Sequence, residues 1–199
     1  MEDEIIQIGN ALLRGEIVLT PTDTVYGLAV SPESESAVER LYEMKDRPRK
    51  LPLPIMIASA VDLIPLGIDV NKYAAKLINS KYMPGALTLI LGFVKEPLVP
   101  WLKGRKEVAV RIPNDERLLK ILEKTGPLLV TSANKHGLPT LTNAEEVIDQ
   151  LLHKPDVVVK GESLGQTSST IINCRVDPPA IERLGLIEES ELKECLYSE

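Results

Sequence analysis

The sequence predicts an α/β fold in which strands and helices alternate around a mixed sheet. Short apolar runs rich in β-branched residues recur along the 199-residue chain, and each is bounded by glycine, proline or polar residues. Segments with the apolar spacing of helices lie between them. Several strand-like runs follow one another closely in the second half, which favours a sheet with both parallel and antiparallel neighbours. No linker divides the chain, so we expect a single domain over residues 1–199.

Strands and helices are predicted from two different spacings. The predicted strands cover residues 17–19, 87–91, 108–112, 128–130, 157–159 and 170–172. Apolar residues with helical spacing between 37 and 44 follow the capping pattern Ser36-x-x-Glu39, which predicts a helix that begins at Ser36. The same pattern at Asn143, with Glu146 three residues later, predicts another helix start. Further helices are predicted at 3–13, 70–79, 115–124 and 189–197.

Charge limits the partners that the protein can bind. With 23 Lys and Arg against 29 Asp and Glu, the net charge is −6, which opposes nonspecific attraction to a nucleic-acid backbone. Any anion site must therefore be local. The cations are concentrated at residues 45–50, so this segment is the first candidate.

Cysteine usage and hydropathy indicate the compartment. Cys174 and Cys195 lack Cys-x-x-Cys spacing, and no charged-then-apolar leader stands at the N-terminus. We therefore expect reduced thiols and a cytoplasmic protein. No apolar stretch approaches the roughly 20 residues that cross a bilayer, so we expect no membrane insertion.

Familiar catalytic motifs are absent from the sequence. There is no Gly-x-x-x-x-Gly-Lys-Ser/Thr loop and no Gly-x-Gly-x-x-Gly. His136 and His153 are not grouped with cysteines and carboxylates, so a zinc site or a Cys/His nucleophile has almost no support. What remains is a set of polar segments that begin where strands end, which is where α/β sheets bind ligands.

Two of these segments carry hydroxyl groups or cations. Residues 21–28 place Thr22 and Thr24 beside a proline-fixed turn, where the hydroxyls can bind a polar ligand or their own backbone. Residues 45–50 follow a predicted helix, and Pro48 keeps that helix from continuing. Their cations suit phosphate oxygens, although such a run can equally be solvated surface.

Three further segments combine polar groups with apolar strands. Arg111 lies within the predicted strand 108–112. Because a buried, uncompensated guanidinium is costly, Arg111 needs an anion from a ligand or from a structural ion pair. Residues 128–134 and 165–170 deliver hydroxyl and amide groups next to strands, and each could be turn chemistry.

In order along the chain, these segments resemble the L-threonylcarbamoyl-AMP synthase family of the YrdC or Sua5 type. The resemblance extends from about Gly15 to Gly185, and the agreement of seven motifs in the correct order makes it specific. The motifs are Pro21-Thr22-Asp23-Thr24-x-Tyr26-Gly27-Leu28, Lys45-x-Arg47-Pro48, Pro84-Gly85-x-x-Thr88, Val108-x-Val110-Arg111-x-Pro113, Ser132-Ala133-Asn134, Ser168-Ser169-Thr170 and Arg183-x-Gly185.

The resemblance implies an enzyme that joins L-threonine, bicarbonate and ATP into threonylcarbamoyl-adenylate and pyrophosphate. This intermediate serves the threonylcarbamoyladenosine modification of tRNA and is taken over by downstream threonylcarbamoyl-transferase proteins. The implied fold is a twisted mixed sheet with flanking helices and a concave, positively lined cavity. Magnesium would be held mainly by the triphosphate and water, since the sequence shows no carboxylate cage.

The resemblance also implies roles for individual residues. Lys45 and Arg47 would be catalytic. The implied L-threonine contacts are Thr24, Arg111, Val130 and Ser169. The implied ATP contacts are Arg47, Lys50, Ser132, Asn134, Thr140 and Arg183.

This chain departs from the family pattern in three places. Many members have a lysine where Leu51 stands, and here Lys50 is one residue early. Some longer members have a histidine at the position of Met56, so the threonine pocket can differ in detail. Only 14 residues follow Gly185, so we expect the short form without the additional C-terminal domain.

Two other functions fit the same residues. A non-catalytic module could bind tRNA or double-stranded RNA through the basic segment 45–50, although the net charge of −6 and a single Phe and Trp argue against it. A carbamoyl transferase domain that uses carbamoyl phosphate would share the cavity chemistry, but such domains usually lie within larger proteins.

Overall fold

The strands of the protein are distributed along the chain from Val18 to Arg183. The computed structural model describes residues 2–163, 165 and 167–197. Its strands are β1 (Val18–Thr20), β2 (Gly27–Val30), β3 (Ile55–Met56), β4 (Leu87–Leu91), β5 (Val108–Arg111), β6 (Leu128–Ser132), β7 (Val157–Val158), β8 (Thr170–Asn173) and β9 (Ala180–Arg183). Within the described residues these nine strands form one sheet, in the order β7-β1-β2-β6-β3-β5-β4-β8-β9.

Helices connect and cover the strands. The α-helices are α1 (Glu2–Leu13), α2 (Glu35–Met44), α3 (Lys72–Ile78), α4 (Glu116–Thr125), α5 (Ala144–Gln150) and α6 (Glu189–Tyr197), and short 3₁₀ helices cover Ala60–Leu63 and Pro100–Leu102. Three strand pairs are parallel, namely β1 with β7, β3 with β5 and β4 with β8, while the other pairs are antiparallel. The predicted α/β fold with a mixed sheet is confirmed.

Three strands escaped the sequence analysis. β2 was included in a polar motif because its Gly and Ala residues weaken the strand pattern. β3 has only two residues, and its pairing with β5 and β6 defines it. β9 lies at the sheet edge with mostly exposed residues, so it lacks an apolar face. Each of these strands depends on its neighbours rather than on its own composition.

The predicted helix starts were right in one case and wrong in the other. Asn143 caps α5, since its side chain accepts hydrogen bonds from the amides of Glu145 and Glu146. The predicted start at Ser36 is wrong, because the Ser34 hydroxyl accepts from the Ala37 amide and the helix begins at Glu35. Ser36 therefore lies within the first turn.

Two apolar clusters pack on opposite faces of the sheet. Val18 and Leu19 are consecutive in β1 but belong to different clusters, because successive strand residues point to opposite faces. Helices α1 and α4 pack together on one face, and α2 contributes to the cluster on the other. In the described part of the chain, no helix has the length and apolar character needed to span a membrane. Cys174 and Cys195 are free, as predicted.

Candidate active site

Five polar segments that are far apart in the sequence meet at one cavity. Its volume is ≈ 300 Å³. The cavity lies against β4, β5 and β6 and is closed by the loop at residues 47–54 and by the β1–β2 connection. Its charged and hydroxyl lining residues include Thr24, Arg47, Arg111, Ser132, Ser169 and Arg183. The sheet therefore brings the cations of three different motifs to one place.

Arg111 lies at the end of β5 and is almost completely buried. Its Nη2 donates to Asp23 Oδ1 at 2.7 Å, and both side chains are less than one tenth exposed, at 6% and 7%. Its Nη1 donates to Thr24 Oγ1 at 2.8 Å, and its Nε donates to the Gly85 carbonyl at 2.9 Å. Burial lowers the pKa of Arg111, and the Asp23 carboxylate opposes this change. The anion that Arg111 needs is thus supplied by the protein.

The hydroxyl groups of the 21–28 segment bind their own backbone and also the arginine. Thr22 Oγ1 donates to the Val25 carbonyl at 2.7 Å and accepts from the Thr24 amide at 3.1 Å. The two threonine hydroxyls lie 3.1 Å apart. The backbone alternative is therefore realised for Thr22, and Thr24 contacts Arg111, while binding of a ligand by these hydroxyls stays a prediction.

Arg183 and Ser169 form a second polar group on the cavity wall. Arg183 Nη2 donates to the Ser169 carbonyl at 2.8 Å, and its Nε donates to the same oxygen at 3.2 Å. The Ser169 hydroxyl lies 2.8 Å from that of Thr88 on β4. Burial lowers the pKa of Arg183, and the nearby cation Arg111 lowers it further.

Arg47 lines the cavity from the loop that follows α2. Its Nε donates to the Leu51 carbonyl at 3.0 Å and its Nη2 to the Pro52 carbonyl at 3.2 Å. Burial is the main cause that lowers the pKa of Arg47. Among the described residues, neither Arg47 nor Arg183 forms an ion pair with a carboxylate. Both guanidinium groups are therefore suited to an anion from outside the protein.

The Ser132-Ala133-Asn134 segment begins at the last residue of β6 and accepts hydrogen bonds from Lys45. Ser132 Oγ donates to Asn134 Oδ1 at 2.6 Å, and Asn134 Nδ2 donates to the Leu138 carbonyl at 2.5 Å. The Lys45 ammonium donates to the carbonyls of Ser132 and Asn134. Burial lowers the pKa of Lys45 to about 7, with a smaller effect from Arg47. Ser132 lines the cavity, whereas Asn134 and Lys45 lie behind its wall.

The remaining predicted positions divide between the cavity and the outer surface. Val130 lines the cavity from β6. Lys50 is exposed and Thr140 half-buried, and neither lines the cavity. Gln166 of the predicted 165–170 loop lies outside the described residues. The sequence analysis named Asp23 and Thr88 within motifs but gave them no role, although the need of Arg111 for an anion was a signal for Asp23.

Among the residues with a described position, the cavity offers no cage for a metal ion. The described residues contain no group of three or more His, Cys, Asp or Glu side chains that could hold a metal ion. Asp23 is already paired with Arg111, and Glu107 at the cavity wall is paired with Arg175. The residues thus fit a magnesium ion that is carried by phosphates and water, and they do not fit one held by the protein.

The arrangement of these motifs matches a known family. A sequence profile of Sua5, YciO and YrdC proteins, described as telomere recombination, matches residues 10–185. The chain belongs to the Sua5/YciO/YrdC family. The resemblance drawn from the seven motifs is thereby confirmed.

Relatives with a named activity support this placement. The chain is 35% identical to the threonylcarbamoyl-AMP synthase of Bacillus subtilis, over 96% of this chain and 56% of that protein. It is 32% identical to the threonylcarbamoyl-AMP synthase of Vibrio parahaemolyticus, over 82% of this chain and 90% of that protein. The chain therefore spans less than two thirds of the Bacillus relative and most of the Vibrio relative.

Solved structures show the same fold. Sua5 of Pyrococcus abyssi, solved in complex with L-threonine, superposes with a TM-score of 0.88 at 33% identity, over 99% of this chain and 58% of that one. YciO of Escherichia coli superposes with a TM-score of 0.83 at 27% identity, over 96% of this chain and 94% of that one. In length the chain corresponds to YciO more closely than to Sua5.

Proposed function

We propose that this protein is a threonylcarbamoyl-AMP synthase, which forms L-threonylcarbamoyl-adenylate and pyrophosphate from L-threonine, bicarbonate and ATP. The observation that carries the proposal is the meeting of Arg47, Arg111, Ser132 and Arg183 at one cavity of ≈ 300 Å³. The Bacillus and Vibrio relatives are named threonylcarbamoyl-AMP synthases, which agrees with the proposal. We further propose a single domain over residues 1–199 and a cytoplasmic location.

In this proposal L-threonine binds around Arg111. A guanidinium has five N–H groups, and Arg111 uses three of them on Asp23, Thr24 and Gly85. Two N–H groups are left, one on each terminal nitrogen, which is the number that a bidentate carboxylate accepts. Ser169 supplies a hydroxyl and Val130 an apolar surface nearby on the same wall. The Sua5 structure with L-threonine supports this choice of substrate.

ATP binds around the arginines that lack a carboxylate. Arg47 and Arg183 place two guanidinium groups at the cavity, and Ser132 adds a hydroxyl. Asn134 contacts the Ser132 hydroxyl, so its effect on ATP would pass through Ser132. Lys50 and Thr140 lie outside the lining, and their contact with ATP stays a prediction.

The chemistry needs positioned cations rather than a strong base. Bicarbonate loses hydroxide to give CO₂, and the free amine of L-threonine attacks the carbon of CO₂ to form a carbamate. The proton that the nitrogen releases combines with the hydroxide as water. A carbamate oxygen then attacks the α-phosphorus of ATP in line, the new P–O bond forms, and pyrophosphate leaves with the electrons of the broken bond. Arg47 and Arg183 stabilise the negative charge on the phosphates. Magnesium carried by ATP would neutralise further charge on the leaving pyrophosphate.

Substrate omission tests the proposed reaction. Pyrophosphate release is measured with purified protein while L-threonine, bicarbonate or ATP is left out in turn. We expect release only when all three are present. Release that is indifferent to L-threonine and bicarbonate would refute the synthase proposal.

We place the product in the threonylcarbamoyladenosine modification of tRNA, with downstream threonylcarbamoyl-transferase proteins as acceptors. Binding of tRNA or double-stranded RNA by the basic segment is the weaker alternative. Arg49 pairs with Glu39 at 2.5 Å and Lys135 pairs with Asp46 at 3.4 Å, so carboxylates partly neutralise that surface. A salt-dependent gel shift by protein that binds no ATP would favour the RNA-binding alternative.

A further inference from the structure

Lys45 is a buried cation without an anion. Lys45 lies at the C-terminal end of α2. By volume its side chain ranks first among the fully buried side chains of the described residues, and it is 2% exposed. Among the described residues no carboxylate forms an ion pair with it. Because a buried ammonium is costly unless its hydrogens are bonded, its partners indicate what the lysine is for.

Within the described residues, every hydrogen-bond partner of the Lys45 side chain belongs to one turn, residues 132–136. The ammonium donates to the Ser132 carbonyl, to the Asn134 carbonyl at 2.5 Å and to Asn134 Oδ1 at 3.5 Å. The main-chain carbonyl of Lys45 accepts from the His136 amide at 2.8 Å. Lys45 thus joins the end of α2 to this turn through both its side chain and its backbone.

The same turn carries a side chain of the cavity wall. Ser132 lines the cavity, and its carbonyl accepts a hydrogen bond from Lys45, which is not among the lining residues. An ammonium has three hydrogens, and three oxygens already surround this one. A direct contact from Lys45 to a phosphate would require one of these bonds to break.

We propose that Lys45 is a positioning residue, which acts on ATP through the 132–136 turn by holding the Ser132 hydroxyl in the cavity wall. This role rests on the proposed synthase function. It differs from the catalytic role that the sequence resemblance implied for Lys45, in which the lysine contacts the reacting phosphates itself.

A double-mutant cycle separates the two roles. Calorimetry measures the ATP affinity of the wild type, Lys45→Met, Ser132→Ala and the double variant. We expect Lys45→Met to weaken ATP binding by about tenfold in the wild type and by less than about twofold in the Ser132→Ala background. An equal loss in both backgrounds would overturn the proposal in favour of direct contact.

Two readouts distinguish positioning from a general structural role. L-threonine affinity of Lys45→Met should stay close to wild type, and so should its thermal midpoint at pH 7, since only the turn is disturbed. Loss of affinity for both substrates together with a lower thermal midpoint would contradict the proposal. Lys135→Met is the matched control on the same turn, because that ammonium lies 3.4 Å from the exposed Asp46, and we expect unchanged ATP affinity.

Hydrogen exchange tests the turn without any nucleotide. The His136 amide, bonded to the Lys45 carbonyl, should exchange at least about tenfold faster in Lys45→Met than in wild type and Lys135→Met. Unchanged protection would overturn the proposal even if ATP binds. Absence of ATP binding by the wild type would instead refute the synthase function, and the exchange result would still decide whether Lys45 holds the turn. If Lys45→Met does not fold, Lys45→Gln replaces it in both experiments.

Discussion

Arg111 and Arg47 line the same cavity but are held in different ways. Arg111 is buried against the carboxylate of Asp23 and uses three N–H groups within the protein. Arg47 is half-buried, and its contacts are two main-chain carbonyls of the neighbouring loop. Arg111 keeps one N–H group on each terminal nitrogen, which suits the two oxygens of a single amino-acid carboxylate. A cation without a counter-charge suits a polyphosphate, which brings more negative charge than one arginine can balance.

The largest expected effect comes from removing the counter-charge of Arg111. Asp23→Asn leaves a buried guanidinium uncompensated, so we expect a loss of about 3–5 kcal/mol in the free energy of unfolding. Chemical denaturation measures it. The control is Asp46→Asn, which removes the same charge from an exposed pair and should cost less than about 1 kcal/mol. Equal losses of unfolding free energy in the two variants would show that the buried Asp23–Arg111 pair stabilises the fold no more than the exposed Asp46 pair does.

Arg47 should affect catalysis rather than folding. Arg47→Ala removes a cation from the phosphates, and we expect a loss of about 2–4 kcal/mol of transition-state stabilisation. The measurement is kcat/KM for pyrophosphate release. Arg49→Ala, on the same loop but paired with Glu39, is the matched control and should retain activity. An unchanged kcat/KM in Arg47→Ala would remove this residue from the site.

The buried ammonium of Lys45 makes stability depend on pH. Its pKa falls from 10.5 to about 7 on folding, so between these values the unfolded state binds more protons than the folded state. Stability therefore rises with pH across this window, by at most about 1.4 kcal/mol per pH unit from this group. From pH 7 to pH 9, the thermal midpoint of the wild type should rise relative to that of Lys45→Met. If the difference in thermal midpoint between the two proteins is the same at both pH values, the pKa of Lys45 does not contribute to the pH dependence of stability.

Thr88 is expected to produce the smallest effect. Thr88→Val keeps the shape of the side chain but removes the hydroxyl that lies 2.8 Å from Ser169 Oγ. We expect L-threonine to bind about three- to tenfold more weakly, which corresponds to about 1 kcal/mol for one hydrogen bond. Calorimetry with L-threonine measures this, and ATP affinity is the internal control. A larger effect on ATP than on L-threonine would reverse the assignment of the two groups of residues.

The predicted strands with dense apolar composition were found near their predicted positions, because a buried strand is recognisable from its run of apolar, β-branched residues. The strands β2, β3 and β9 were missed since the neighbouring strands define them. The N-cap of α2 was misplaced by two residues, at Ser36 instead of Ser34. Two serines in that segment could cap the helix, and only backbone geometry selects Ser34.

The sequence by itself determined the residue types of the site and the order of its motifs, which were sufficient to predict the family. Only the tertiary structure decided the partner of each cation. Asp23 and Arg111 are 88 residues apart in the chain, and Lys45 and Ser132 are 87 apart. A hydrogen bond depends on the distance between atoms in space, and this distance is set by how the strands pair rather than by the local sequence.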